Sequence, residues 1–236
     1  MKNIFFNAII YETTKRLFAF FAEGNNMLKQ IVNVTAVLPD RLLKDAVIAF
    51  EDGKIRYVGT TPQPAQQTYD GNGAFAMAGF IDLHCHGGMG LDFMDSSAAE
   101  MKKIAQFHLQ HGTTTLIPTT MTDGWHSLEL ALTEYKTLYD HDDLLTMEGV
   151  HLEGPWLSPA QCGAQPTEKM DLPSVAKLTE LLEKFPFIKR ISAAPELENG
   201  MELGKEGARR GLVISVAHTD ADFQTTLTAY ENGIRC

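Results

Sequence analysis

An alternation that begins at Ala78 constrains this chain more than any other feature. Apolar β-like runs at Gly79–His84, Thr113–Pro118, Leu145–Glu153, Ile188–Ala194 and Leu212–His218 are separated by helical runs. The helices are expected near Ser97–His111, Trp125–Tyr139, Ser174–Phe185, Gly200–Arg210 and Ala221–Asn232. Ser96 and Asp220 stand where N-caps belong, and Gly112, Gly211 and Gly233 where helices should stop. Strand–helix alternation predicts a parallel sheet covered by helices, the α/β class. Five units in a row suit either a doubly wound sheet or a (β/α)8 barrel. No G-x-G-x-x-G follows the first strand, which removes support for a dinucleotide-binding sheet. The residues capable of chemistry fall at or just after strand ends: His84 and His86, Glu153, and His218. In a (β/α)8 barrel that end is the face that carries active sites. A complete barrel typically takes about 250 residues. Residues 78–236 are therefore read as an incomplete TIM-type barrel, about five of eight units.

The residues before Ala78 follow a different pattern. Leu28–Val34, Asp45–Phe50 and Lys54–Gly59 are β-like, with Glu51-Asp52-Gly53 as a hairpin turn, and Pro62–Tyr69 reads as a polar connection. Residues 27–77 are expected to form a small β-sandwich portion. Residues 1–26 are apolar in patches but interrupted by Glu12, Lys15 and Arg16, with no small-residue cleavage site after them. They are read as a non-native or disordered extension preceding a start at Met27.

The net charge of −10 disfavours non-specific nucleic-acid binding. No run of 18 apolar residues predicts a membrane span. Three cysteines, Cys85, Cys162 and Cys236, fit neither a zinc knuckle nor a disulfide framework, and a reducing cytoplasm is the natural reading.

His84 and His86 form an H-x-H pair. On a strand, residues i and i+2 share a face, so two imidazoles can converge on one ion. Alone the pair is weak evidence. Asp82 shares that face and could orient a histidine or simply bond within a turn. Gly87-Gly88-Met89-Gly90 is either a close-approach loop or a plain turn. Glu153 ends the third strand, where a carboxylate must pair with a cation or take a metal. His151, on its face, suits buried packing beneath such a site. Gln165, in Gly163-Ala164-Gln165, could hydrogen-bond a substrate carbonyl. His218 either caps a helix or ligates metal, and its placement with the other three favours ligation. His108, His111, His126 and His141 lie away from the strand ends and read as surface or packing residues.

Together these stretches resemble the N-acetylglucosamine-6-phosphate deacetylases of the amidohydrolase superfamily. The resemblance rests on Gly79-Phe80-Ile81-Asp82-Leu83-His84-Cys85-His86-Gly87-Gly88, His111-Gly112-Thr113-Thr114-Thr115, His151-Leu152-Glu153-Gly154-Pro155-Trp156, Ala194-Pro195-Glu196 and His218-Thr219-Asp220-Ala221. It implies hydrolysis of the acetamide of N-acetylglucosamine 6-phosphate to glucosamine 6-phosphate and acetate. It implies a divalent metal, zinc or iron, as one or two ions. Glu153 and His218 would be ligands, and His84 and His86 would match members with an additional site. Ala164 and Gln165 would face the substrate, Gln165 standing where other members often carry histidine. The fourth strand, Ile191-Ser192-Ala193-Ala194, lacks the lysine of many two-metal amidohydrolases, and Glu153 looks like its replacement. The metal would acidify bound water toward about pH 7 and polarise the acetyl carbonyl. The resemblance also implies a homo-oligomer, a dimer. A further metal-binding histidine and the catalytic aspartate would lie beyond Cys236, so no catalytic acid or base is expected in this chain and the chain alone is expected to be inactive. The alternatives are another amidohydrolase, such as an N-acetylgalactosamine-6-phosphate deacetylase, or a non-catalytic metal- or sugar-binding fragment.

Overall fold

The computed structural model describes residues 8–11, 17–19 and 27–236, the first two segments by backbone alone. The expectation for residues 1–26 lies otherwise outside the described residues. The chain divides into two compact units, Met1–Ile81 with His108–Thr114, and Asp82–Phe107 with Thr115–Cys236.

The first unit is built on β1 (Ala8–Tyr11), β2 (Leu17–Ala19), β3 (Lys29–Val37), β4 (Leu42–Glu51), β5 (Lys54–Gly59), β6 (Gln67–Asp70) and β7 (Phe75–Ala78). They form one seven-stranded sheet in the order β2-β1-β7-β3-β4-β5, with β6 also on β3. The β4–β5 turn is Asp52-Gly53 with φ of 50° and 68°, the left-handed pair that a two-residue hairpin demands. In β3, Asn33 adopts φ 55° and the register with β4 shifts between Ile31 and Val34. Asparagine tolerates that conformation, and the bulge divides one edge of β3 between two parallel partners. Lys29–Val32 pairs with β6, and Thr35–Ala36 with β7. Ile31, Val34, Ala36, Ala46, Ile48, Ala74 and Ala76 form the core of this sheet. β6 overlaps the end of Pro62–Tyr69, the stretch read from sequence as a connection. Its residues are polar, and only long-range pairing with β3 makes them a strand.

The chain continues with β8 (Phe80–Cys85), β9 (Gly87–Gly88), β10 (Leu91–Asp92), α1 (Ala98–Gln110), β11 (Thr113–Pro118), α2 (Trp125–Asp140), β12 (Val150–Glu153), α3 (Val175–Lys184), β13 (Ile188–Ala193), α4 (Gly200–Arg209), β14 (Val213–Val216) and α5 (Phe223–Glu231). The alternation expected from sequence is present in the expected order. β8 and β11 are neighbours, and β12, β13 and β14 form a parallel sheet. Parallel bridges at Leu116–Met147 and Thr119–His151 connect β11 to the chain leading into and through β12. Among the described residues the strands do not close into a barrel.

Two boundaries moved inward for backbone reasons. The third strand was expected from Leu145, but Leu145 has φ 53° and Gly149 φ 149°, so Met147 makes only an isolated bridge and the continuous strand begins at Val150. The fifth was expected to reach His218, but His218 itself has φ 46° and the strand stops at Val216. The N-caps also shifted. One residue after Ser96, Ser97 donates both its N–H and its hydroxyl to the Glu100 carboxylate, so the Glu100 side chain reaches back over the start of α1. Asp222, not Asp220, caps α5 by accepting from the Thr225 N–H.

The β12–β13–β14 register explains the segregation of side chains. Leu152, Ile191 and Ile214 lie side by side across the sheet and are each at most 1% exposed in the helix-facing core. The residues alternating with them, His151 and Glu153, Arg190 and Ser192, and Ser215, share the other face. That face gathers the polar groups.

Candidate metal centre

The site belongs wholly to the second unit. It forms because three chain segments end beside one carboxylate. Asp82 accepts the His84 backbone N–H through its carboxylate at 3.1 Å, fixing the strand end rather than an imidazole ring. Beyond His86, Gly87 pairs with Asp92 in a tight ribbon turning through Met89 and Gly90 at φ 57° and 79°. A Cβ on Gly87 would lie 2.0 Å from the Leu91 carbonyl oxygen, so this approach requires glycine. Cys85 points the other way, into the core, and burial pushes its thiol pKa up.

Glu153 is buried at the end of β12, and its two oxygens divide the neighbours. Oε1 lies 3.3 Å from His84 Nε2 and 3.3 Å from His218 Nε2. Oε2 lies 3.0 Å from His86 Nε2 and accepts from Gln165 Nε2 at 3.0 Å. The two histidine Nε2 atoms of β8 and its extension are 3.2 Å apart. Burial alone would raise the Glu153 carboxyl, but the hydrogen bond from His86 and the charges of His84, His86 and His218 outweigh it and bring the pKa down to about 2. In return, the Glu153 hydrogen bond raises the His86 pKa against the opposing effect of burial.

His218 is oriented from behind. Its Nδ1 faces the Gln161 carbonyl at 3.0 Å. A carbonyl only accepts, so Nδ1 carries a proton and Nε2 is the nitrogen turned toward Glu153. The loop holding it is tied by Glu196, which accepts from the Thr219 hydroxyl at 2.5 Å and the Asp220 N–H at 2.6 Å. Gln161 Nε2 donates to Asp220 at 3.0 Å.

Below the centre, His151 is fully buried, with Nδ1 3.3 Å from Thr119 Oγ1 and Nε2 2.8 Å from Ser192 Oγ. The Thr119 hydroxyl donates to the Ile117 carbonyl, so it accepts from His151, and Ser192 donates to Nε2. Burial, with the Arg190 charge, pushes the His151 pKa down to about 3, and it remains neutral. Its ring stands edge-on to that of His84, centroids 4.8 Å apart.

These donors suit a divalent cation. Ligand atoms about 2.0–2.1 Å from a tetrahedral ion sit about 3.3 Å apart, close to the spacings of 3.0–3.3 Å around Glu153. His218 Nε2 facing a carboxylate oxygen at 3.3 Å needs a proton or a metal between the two atoms. His84, His86 and Glu153 already satisfy the geometry of a three-donor group.

All four residues singled out as ligands thus converge. Gln165 also arrives, but its amide is turned inward: Oε1 accepts the Thr122 N–H at 2.8 Å. Ala164 beside it is exposed. Trp156 and Phe93 are core residues. His126 is exposed on α2, and His141 bonds the Thr137 carbonyl of its own helix. Thr119, Thr122, Gln161, Ser192 and Glu196 were not anticipated. Ser192 and Thr119 could have been suspected from strand parity and proximity to strand ends, and Glu196 from its place in Ala194-Pro195-Glu196, whereas nothing local marks Gln161.

No protein-family model matches the chain. Curated relatives do. The N-acetylglucosamine-6-phosphate deacetylase of Bacillus subtilis (strain 168) is 32% identical over 205 residues, covering 81% of this chain and 50% of its own. That of Lysinibacillus sphaericus is 30% identical over 211 residues, 86% of this chain and 53% of its own. The structure of N-acetyl-D-glucosamine-6-phosphate deacetylase from Mycobacterium smegmatis, a mutant in complex with N-acetyl-D-glucosamine-6-phosphate, matches with TM-score 0.75 and 27% identity over 89% of this chain and 54% of that one. The chain spans about half the length of the curated relatives it matches.

Proposed function

We propose, from this chain's kinship with the N-acetylglucosamine-6-phosphate deacetylases, that it supplies the metal-binding half of an amidohydrolase site that removes acetate from N-acetylglucosamine 6-phosphate. The observation that carries this reading is the convergence of His84, His86 and His218 on the two oxygens of Glu153. The frame is read as five units of an incomplete (β/α)8 barrel and, as a separate unit, a β-sandwich portion, with the metal donors at the C-terminal strand ends.

In this reading His84, His86, Glu153 and His218 would hold one or two divalent ions. Neutral imidazoles and one carboxylate suit zinc or iron. Such an ion polarises an acyl carbonyl and acidifies water. The chain's residues keep the donors ready. Gln161 holds the His218 tautomer, Asp82 fixes the backbone at His84, and the neutral His151 supports the ring of His84 without adding charge. In this reading Ala164, exposed beside Gln165, would face the sugar. Glu153 is the one carboxylate that pairs with these histidines among the described residues, and it is committed as a ligand. A further carboxylate would be needed to move protons, and in this reading these residues by themselves bind metal without turnover.

The test has two parts. Zinc binding to the 236-residue chain should be lost in Glu153→Gln; unchanged binding would remove the metal site. Acetate release by the longest product of the gene, loaded with zinc or iron, should occur from N-acetylglucosamine 6-phosphate. Release only from the galactosamine isomer would assign the site to that sugar.

A further inference from the structure

We propose that Gln165 is a positioning residue that locks the rotation of the Glu153 carboxylate and so sets the affinity and geometry of the metal centre. This rests on the reading of that centre given above. The Thr122 backbone N–H can only donate, so the Gln165 atom 2.8 Å from it is the amide oxygen. The amide nitrogen must then face Glu153 Oε2, at 3.0 Å, with its remaining proton toward Met121 Sδ at 3.7 Å. The side chain is 5% exposed, and both amide atoms are engaged within the protein.

The clamp has a second arm. The Thr122 hydroxyl reaches the Glu153 carbonyl at 3.4 Å. Gly154 follows at φ 90°, and a Cβ there would lie 2.0 Å from that hydroxyl. Thr122 therefore touches Glu153 through its backbone and, by way of Gln165, through its side chain. With Oε2 bonded to Gln165, Oε1 is left for His84 and His218. A freely rotating carboxylate would exchange these roles. A glutamine amide donates without carrying a charge of its own, so it holds the carboxylate without competing for the ion. Partners that orient a ligand typically account for 10–100-fold in metal affinity.

The experiment compares wild type, Gln165→Met, Gln165→His and Glu153→Gln as the full 236-residue chain. Zinc affinity is read by competition with a chromophoric chelator, and coordination by the visible absorption of the cobalt-loaded protein. Gln165→Met preserves length and apolar bulk but donates nothing. It should bind zinc about 10–100-fold more weakly and shift the cobalt spectrum. Gln165→His restores an N–H donor and should recover affinity relative to Gln165→Met. Melting temperatures in chelator separate loss of fold from loss of positioning. Gln165→Met matching wild type in both affinity and spectrum would overturn the proposal, as would Gln165→His no better than Gln165→Met. If Gln165→Met does not fold, the comparison of Gln165→His with wild type decides by the same two readouts: near-wild-type affinity supports the donor role, and a loss of the size expected for Gln165→Met overturns it. Zinc binding by Glu153→Gln at wild-type strength would instead overturn the metal-centre reading.

Discussion

Among single residues, half-buried His86 and fully buried His151 have opposite pH behaviour. His86 takes up a proton more readily than an ordinary histidine because Glu153 accepts a hydrogen bond from it. A ligand must lose that proton, so zinc affinity should fall with acidification, starting above the ordinary histidine pKa of about 6.5. Zinc titrations at about pH 8 and about pH 6 should show weaker binding at the lower value; equal affinity would exclude His86 as a ligand. His151 behaves in the reverse sense. Its folded pKa is about 3, below the unfolded value, because it is buried. Below about pH 6.5 the unfolded chain binds a proton the folded chain does not, so stability falls as pH falls toward the folded value. His86 alone, raised in the folded state, would contribute the opposite slope. Urea midpoints of the chelated protein at neutral and mildly acidic pH isolate the His151 part. His151→Gln should lose less stability on acidification than wild type, and an identical loss would count against burial of a neutral imidazole.

At the level of elements, the helices behave as their termini predict. Ser174 caps α3 by accepting the Lys177 N–H, and Leu178 and Leu181 bury its apolar face. Removing this cap leaves one helix-end N–H without its partner. Ser174→Ala should cost about 1 kcal/mol in chemical denaturation, and a change near zero would show that water replaces the hydroxyl. The strand ends taught something different. His218 was legible as a residue at a strand terminus, but its φ of 46° and the Gln161 carbonyl behind it were not. Strand extents were overestimated at Leu145 and His218 because hydrophobic pattern does not report a positive φ. β6 was missed because its polar residues become a strand only by pairing with β3, far away in sequence.

For the molecule as a whole, a metal that binds the folded state and not the unfolded one adds stability by mass action. With free zinc at about 100 times its dissociation constant, the gain is about 2.7 kcal/mol. A chelator should therefore lower the melting temperature of the wild-type chain and leave that of Glu153→Gln unchanged. An equal response in both proteins would mean that zinc stabilises elsewhere. The gain should appear in unfolding of the second unit, which contains every donor described.

The sequence by itself determined the order of strands and helices after Ala78, the turn at Asp52-Gly53 and the residue types gathered at the site. These are local facts: periodicity selects strand or helix, a left-handed pair selects the hairpin, and i, i+2 parity puts His84 and His86 on one face. It also brought forward Glu153 and His218, by motif rather than by geometry. Only the tertiary structure decided that Glu153 Oε1 faces His84 and His218 while Oε2 faces His86 and Gln165. It alone turned the Gln165 amide inward and recruited Thr122, Gln161, Ser192 and Glu196. Side-chain rotation and contacts between residues distant in the chain have no local signature, because their energies exist only once the strands are in register.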